Sequence, residues 1–273
     1  MSWDGLQGGG VTWAASPAES ARFGLEMTRL TVGWDVRPDR PVAVGPVAEE
    51  VTGRLRGDDA EVVVVRYPAA SLELASAVAR SGRQVLPAGS LTYWSAPWAE
   101  VARPEPVPGQ EVLALADLPG GQAERSTVVD AVVADSFSGY GNHYAANPLL
   151  DPAAALAGYQ EWARRTALAD PHDALVLVLD GAVVGLATLV DSLSPEGHLE
   201  VLLAGLTTAA QGRGRYASLL AAVARAARAR GRRSVVISTQ SHNVRVQRAW
   251  ARAGLRPFAA VETVHAVLPG LIP

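Results

Sequence analysis

Apolar positions along the chain switch repeatedly between a period of two and a helical period. Residues 61–67 (EVVVVRY) are nearly continuous in valine, the pattern of a strand buried on both faces. Residues 68–81 then place Leu72, Leu74, Ala75 and Val78 on one side, and Gly82 stands where a C-cap belongs, so a helix is expected. Residues 84–87 and 90–94 read as two short strands, completing a β-α-β unit. Further on, 111–115 reads as a strand, and 125–137 and 152–169 read as helices. The second of these is opened by Asp151 as N-cap with Pro152 at its first position. Two β-branched runs, 175–179 and 183–190, flank Asp180-Gly181, the signature of a tight hairpin. A strand at 198–203, a helix at 217–230, a strand at 234–239, a short helix at 243–253 ending at Gly254, and a strand at 261–268 complete the pattern. Alternating strands and helices predict an α/β or α+β layered sheet.

One seam is visible. Residues 103–109 contain three prolines, which disfavour helix and remove ladder donors. A Pro-rich linker at 104–110 is therefore expected between an N-terminal β-α-β part (1–103) and a longer C-terminal part (111–273).

Composition removes several classes of chemistry. The chain has 273 residues, 49% of them hydrophobic, enough for a sizeable core. It has no cysteine, which excludes disulfides, thiolate metal sites and a cysteine acyl-enzyme. All 24 basic residues are arginine, so a P-loop lysine and a lysine Schiff base are impossible. The formal net charge of −3 argues against a nucleic-acid partner. Arg225 and Arg228, one turn apart, read as a solvated helix face or a contact with a ligand phosphate. The five histidines are scattered, and no metal site is expected. No signal peptide is visible at the start, and the apolar stretch 174–190 is too short and too interrupted to span a membrane. A cytoplasmic protein is expected, with no membrane partner; a homodimer is compatible with these features.

The stretch Gln211-Gly212-Arg213-Gly214-Arg215-Tyr216 lies between a strand-like and a helix-like run. A glycine-rich turn entering a helix presents unpaired N–H groups and the positive end of the helix dipole, a site for a phosphate or pyrophosphate. A dinucleotide fingerprint fits poorly, because Ala217 occupies the third-glycine position and the expected acidic position falls in an Arg-rich run.

Gln211, Gly212, Arg213 and Gly214 resemble the pyrophosphate loop of the GCN5-related N-acetyltransferases, with Tyr216 where that family usually has Gly or Ala. Downstream, Asn243, Trp250, Gly254 and Leu255 match a second element of the family. The resemblance covers about residues 111–268 and implies the GNAT fold. That fold has a central mixed, mostly antiparallel sheet with splayed strands flanked by helices; the N-terminal part would be a degenerate half of similar kind. It also implies acetyl-CoA or another acyl-CoA as cofactor and a small-molecule amine as acceptor. Residues 140–148, 159–162 and 238–243 further resemble acetyltransferases acting on dTDP-amino sugars.

The resemblance implies roles residue by residue. Gln211 to Tyr216 would bind the pyrophosphate. The backbone of Ala204 and Leu206, with Thr208, Asn243 and Trp250, would contact the rest of the coenzyme, and the Leu206 N–H would hold the oxyanion. Glu200 would be the base; six residues separate it from Leu206, so simple alternation puts both on one sheet face. Trp250 stands where the family commonly has a tyrosine acid, and indole does not give up its proton near neutral pH. His265, on the last strand, is a substitute acid or base. His143, Tyr144 and His198 would line the acceptor pocket, and His198, two residues from Glu200, would also tune or share that base. A fold that keeps the coenzyme and has lost the chemistry, or a different acyl-CoA reaction, stays open.

Overall fold

The computed structural model describes residues 2–34, 44–194 and 197–272. Its strands are β1 (Val11–Ala15), β2 (Met27–Val32), β3 (Val62–Pro68), β4 (Gln84–Pro97), β5 (Gln110–Ala114), β6 (Ala174–Leu179), β7 (Ala182–Asp191), β8 (His198–Leu206), β9 (Ser234–Gln240) and β10 (Arg256–Val267). Its helices are α1 (Pro17–Phe23), α2 (Val44–Gly57), α3 (Leu72–Ala79), α4 (Gln122–Phe137), α5 (Pro152–Ala169), α6 (Tyr216–Ala229) and α7 (Val244–Arg252). The strands form one sheet in the order β1-β2-β3-β10-β4-β9-β8-β7-β6-β5. Among the described strands, the β2–β3 and β8–β9 pairs are parallel and the other pairs antiparallel. Among the described residues, no helix is long and apolar enough to cross a membrane.

Local chemistry explains the elements that the pattern predicts. Asp151 accepts from the N–H groups of Ala153 and Ala154 at the start of α5, and Asn243 accepts from Val246 at the start of α7. Asp180 (φ 49°) and Gly181 (φ 81°) make the two-residue turn between β6 and β7. The two short strands expected at 84–87 and 90–94 are one continuous strand, β4. A register shift against β10 and a positive φ at Gly89 absorb the interruption, and Pro87 sits at that irregularity, where a missing donor is tolerated. The last strand begins at Arg256, earlier than its apolar run.

The expected linker at 104–110 does not divide the sheet. β10, from the C-terminal part, pairs with β3 on one side and β4 on the other. One core lies under α6, where Leu199, Val201, Leu206, Leu219, Val223 and Trp250 meet. A second lies under α4 and α5, with Val129, Val133, Ala163, Val176, Leu186 and Leu203.

β8 carries an irregularity that shapes everything nearby. Its register against β7 runs Thr188↔Leu203 and then Leu189↔Val201, which leaves Leu202 as an extra residue. Side-chain alternation therefore flips at Leu202. Leu199, Val201 and Leu206 pack toward α6, whereas Leu203 packs toward α4 and α5. A Cβ on Gly205 would run into Ser136 and Phe137 of α4. Glu200 and Leu206 consequently face opposite sides of the sheet, contrary to the even-spacing expectation, because a bulge breaks the period of two.

Candidate active site

The two parallel strands part where the bulge falls. β8 pairs with β9 only from His198↔Ser234 to Val201↔Ile237, yet β8 continues to Leu206 and β9 to Gln240. The Thr207 N–H donates to Val184 O at 2.9 Å, so the alternating antiparallel pattern turns the N–H groups of Leu206 and Ala204 to the opposite edge, into the wedge between β8 and β9. Gln211 Nε2 closes the end of the wedge by donating to Leu206 O at 2.8 Å.

At the mouth of this wedge lies the glycine turn. Gly212 (φ 82°) and Gly214 (φ 75°) take left-handed conformations. Among the described residues, the N–H groups of Gly212 through Tyr216 find no acceptor, and the axis of α6 points its positive end at them. A polyphosphate would satisfy these donors, so the turn fits the pyrophosphate of a coenzyme A ester. Arg245 donates to Gln211 Oε1 at 2.9 Å and fixes that side chain. Arg215 lines the cavity; Arg213 is exposed and lies outside its walls.

A single cavity of about 1020 Å³ runs from the turn past the free edge of β8. Ala204, Leu206, Thr208, Asn243, Tyr216 and Trp250 line it, as do His143 and Tyr144. Asn243 Nδ2 donates to Thr239 Oγ1 at 3.1 Å. Trp250 is buried against Trp94, and its Nε1 donates to the Tyr216 hydroxyl at 3.4 Å. Burial pushes the Tyr216 phenol up to about 12, so it keeps its proton.

Three expected site residues lie behind the walls. His265 is fully buried on β10 and meets the cavity only through His143, whose Nδ1 is 3.0 Å from His265 Nε2. Burial and the Arg66 charge drive His143 well below its ordinary value and His265 down to about 4, so both are neutral near pH 7. Glu200 accepts from the Trp3 N–H at 2.7 Å and does not line the cavity. Burial raises its carboxyl to about 7, and the Trp3 bond opposes that rise. His198 stands 4.0 Å from Glu200 and 3.8 Å from Asp4, in the same N-terminal cluster and outside the cavity lining rather than in the acceptor pocket. Trp3 itself packs among Trp34, Tyr93 and Phe258.

Sequence reasoning missed the far end of the cavity. Arg66 on β3, Arg29 on β2 and Glu19 on α1 line it, with Tyr140 and Tyr159 from the C-terminal part. Burial opposes ionisation of Glu19, but the bonds and charge of Arg29, with Ser16 and Tyr144, hold it at about 2. One signal was readable: Arg66 interrupts an otherwise apolar strand, and a charge in such a run needs a reason.

A splayed strand pair with free N–H groups on one edge, leading to a glycine turn with unpaired N–H groups, suits an acyl-CoA-dependent acetyltransferase that uses acetyl-CoA or another acyl-CoA. Residues 140–255 match the acetyltransferase (GNAT) family model. A GCN5-related N-acetyltransferase from Sphaerobacter thermophilus has the same fold, with 18% identity, TM-score 0.56, and coverage of 96% of this chain and 78% of its own. One from Kribbella flavida is similar at 16% identity and TM-score 0.55, covering 89% and 82%. A tandem GNAT protein from the clavulanic acid biosynthesis pathway is similar at 14% identity and TM-score 0.54, covering 88% and 75%. No curated protein matches the chain by sequence.

Proposed function

We propose that the protein transfers an acetyl or other acyl group from acyl-CoA to the amine of a small molecule, an amino-sugar nucleotide or a natural-product intermediate. The observation that carries this reading is the continuity of one cavity from the glycine turn, past the free β8 edge, to a buried polar end. Acyl-CoA supplies an acyl carbon activated as a thioester. The N–H groups of Gly212 to Tyr216 would hold its pyrophosphate, and those of Ala204 and Leu206 would receive the carbonyl oxygen as charge develops on it.

With no cysteine in the chain, direct transfer between the two bound substrates is favoured over a covalent relay. The acceptor arrives as an ammonium ion. His143, neutral and in the cavity wall, takes one proton at Nε2 while its Nδ1–H donates to His265 Nε2. The amine lone pair forms the N–C bond, the C–S bond breaks, and its electron pair leaves on sulfur. The Tyr216 hydroxyl, oriented by Trp250, donates to that sulfur. The second amine proton replaces the one that the sulfur takes up, so amide and thiol are the products. Glu200 acts in this scheme on the N-terminal segment, through the Trp3 N–H, rather than on the amine.

The test is free-thiol release from acetyl-CoA across a panel of primary amines, beside thermal melting with acetyl-CoA alone. A bound acyl-CoA must stabilise the native state. No melting shift at millimolar acyl-CoA would sink the reading, and a shift without turnover of any amine would leave a coenzyme-binding protein that has lost its chemistry.

A further inference from the structure

Aromatic side chains from three segments converge on one stretch of the cavity. Phe137 ends α4, Tyr159 and Trp162 lie one turn apart on α5, and Tyr140 lies in the segment between the two helices. All four line the cavity, and each is partly exposed. Phe137, Tyr159 and Trp162 rest on the core under α4 and α5, which fixes the rings from behind.

Their geometry makes a corner. Phe137 and Tyr159 are nearly parallel, with ring centroids 5.5 Å apart and planes 20° apart. Tyr140 stands across both, at 74° to Phe137 and 86° to Tyr159. The Tyr140 hydroxyl accepts from the Gln240 N–H at 3.2 Å and lies 3.3 Å from Thr239 Oγ1, which holds that ring in place. Trp162 extends the group, its ring 66° from that of Tyr159. The corner adjoins the free edge of β8. A Cβ on Gly205 would lie 3.1 Å from Phe137 Cε2, so the glycine lets that ring sit against the strand between Ala204 and Leu206.

We infer that the acceptor amine carries a planar aromatic ring, a short spacer from its nitrogen, which lies in the corner of Phe137, Tyr140 and Tyr159. The inference rests on the acyl-transfer reading and narrows its acceptor to an aryl amine rather than a saturated sugar. The spacer is short because Phe137 touches the strand whose N–H groups would receive the acyl carbonyl. A flat ring in this corner meets one wall face to face and the other edge to face, the arrangements that aromatic pairs prefer. A saturated ring of the same size buries similar area but lacks the quadrupole, so it loses that share. The walls are ordered by their own packing, so little side-chain freedom is lost on binding.

Matched amines that differ in the unsaturation of one ring provide the test: benzylamine against cyclohexylmethylamine, and 2-phenylethylamine against 2-cyclohexylethylamine. Binding is measured by calorimetry with and without coenzyme A, and turnover by thiol release from acetyl-CoA. The aryl member of at least one pair should bind about 5-fold tighter, the scale of aromatic pairing beyond area. Tyr159→Phe keeps the wall and should keep the preference, whereas Tyr159→Leu should erase it. Equal or reversed affinity within both pairs, no binding by any of these amines, or an unchanged preference in a folded Tyr159→Leu protein would overturn the inference. Should Tyr159→Leu not fold, the wild-type pairs decide alone. An aryl preference in binding without turnover of any amine would support the corner and count against the transfer reading.

Discussion

The indole Nε1 of Trp250 on α7 donates to the hydroxyl of Tyr216 on α6, 3.4 Å away, inside the cavity. Each residue departs from the family motif that its position resembles, and the two departures are in contact. A phenol is thus supplied from the turn, and an indole N–H orients it. Tyr216→Phe should lower kcat about 10-fold with little change in KM for acyl-CoA. That lies at the low end of acid–base effects, because a thiolate of pKa about 8.5 can also take its proton from water. Trp250→Phe should lower kcat by less. Steady-state kinetics on both variants check this; an unchanged kcat in Tyr216→Phe would remove the hydroxyl from the mechanism.

Gly212 and Gly214 hold φ values that a side chain adopts at a cost of about 1–2 kcal/mol. A Cβ on Gly214 meets nothing within 4 Å, so the penalty there is conformational and not steric. Gly214→Ala should therefore relax the turn and raise KM for acyl-CoA about 10-fold while leaving kcat within a factor of two. Titration calorimetry with coenzyme A provides the independent readout.

His143 and His265 should behave as a pair with unequal weights. His143→Gln removes the proton acceptor in the wall, and kcat should fall roughly 10²–10⁴-fold. His265→Gln keeps His143 and alters only its orientation and basicity, so a smaller fall with a shifted pH profile is expected. Equal losses with unshifted profiles would indicate a structural role for both.

Glu200 makes stability depend on pH in a definite direction. Its carboxyl sits at about 7 in the folded chain against 4.5 ordinarily, because burial disfavours the charged form. The neutral form is preferred in the native state, so its stabilising share is fully present below pH 4.5 and lost as pH rises through 7. Its charged or titratable neighbours include His198, Asp4 and Tyr93, and the Trp3 N–H bonds the carboxyl directly. Glu200→Gln should melt several degrees above wild type at pH 8.5 and no higher than wild type at pH 5. Thermal scans at the two pH values check this, and a gap that grows toward low pH would contradict it.

Much of the molecule was legible from local chemistry. The hairpin at Asp180-Gly181, the capped starts of α5 and α7, and the anion-binding turn before α6 each depend on residues close in sequence, whose conformational preferences act without help from the rest of the chain. The coenzyme end of the site, as proposed, rests on them. The elements before residue 61 lacked such signals: β1 and β2 are short, and their place comes from tertiary pairing, β2 with β3 and β1 with β2.

The acceptor end belonged to the tertiary structure. The sequence determined that a glycine turn between a strand and a helix would leave N–H groups unpaired, because those bonds are local. It could not show the bulge at Leu202, which arises from pairing with β7 and turns Glu200 away from the Leu206 side. Nor could it show that β10 would slide between β3 and β4. That placement brings His265 to His143 across 122 positions and sets Arg66 beside them. Strand order and register are decided by burial of both sheet faces at once, a property of the whole chain.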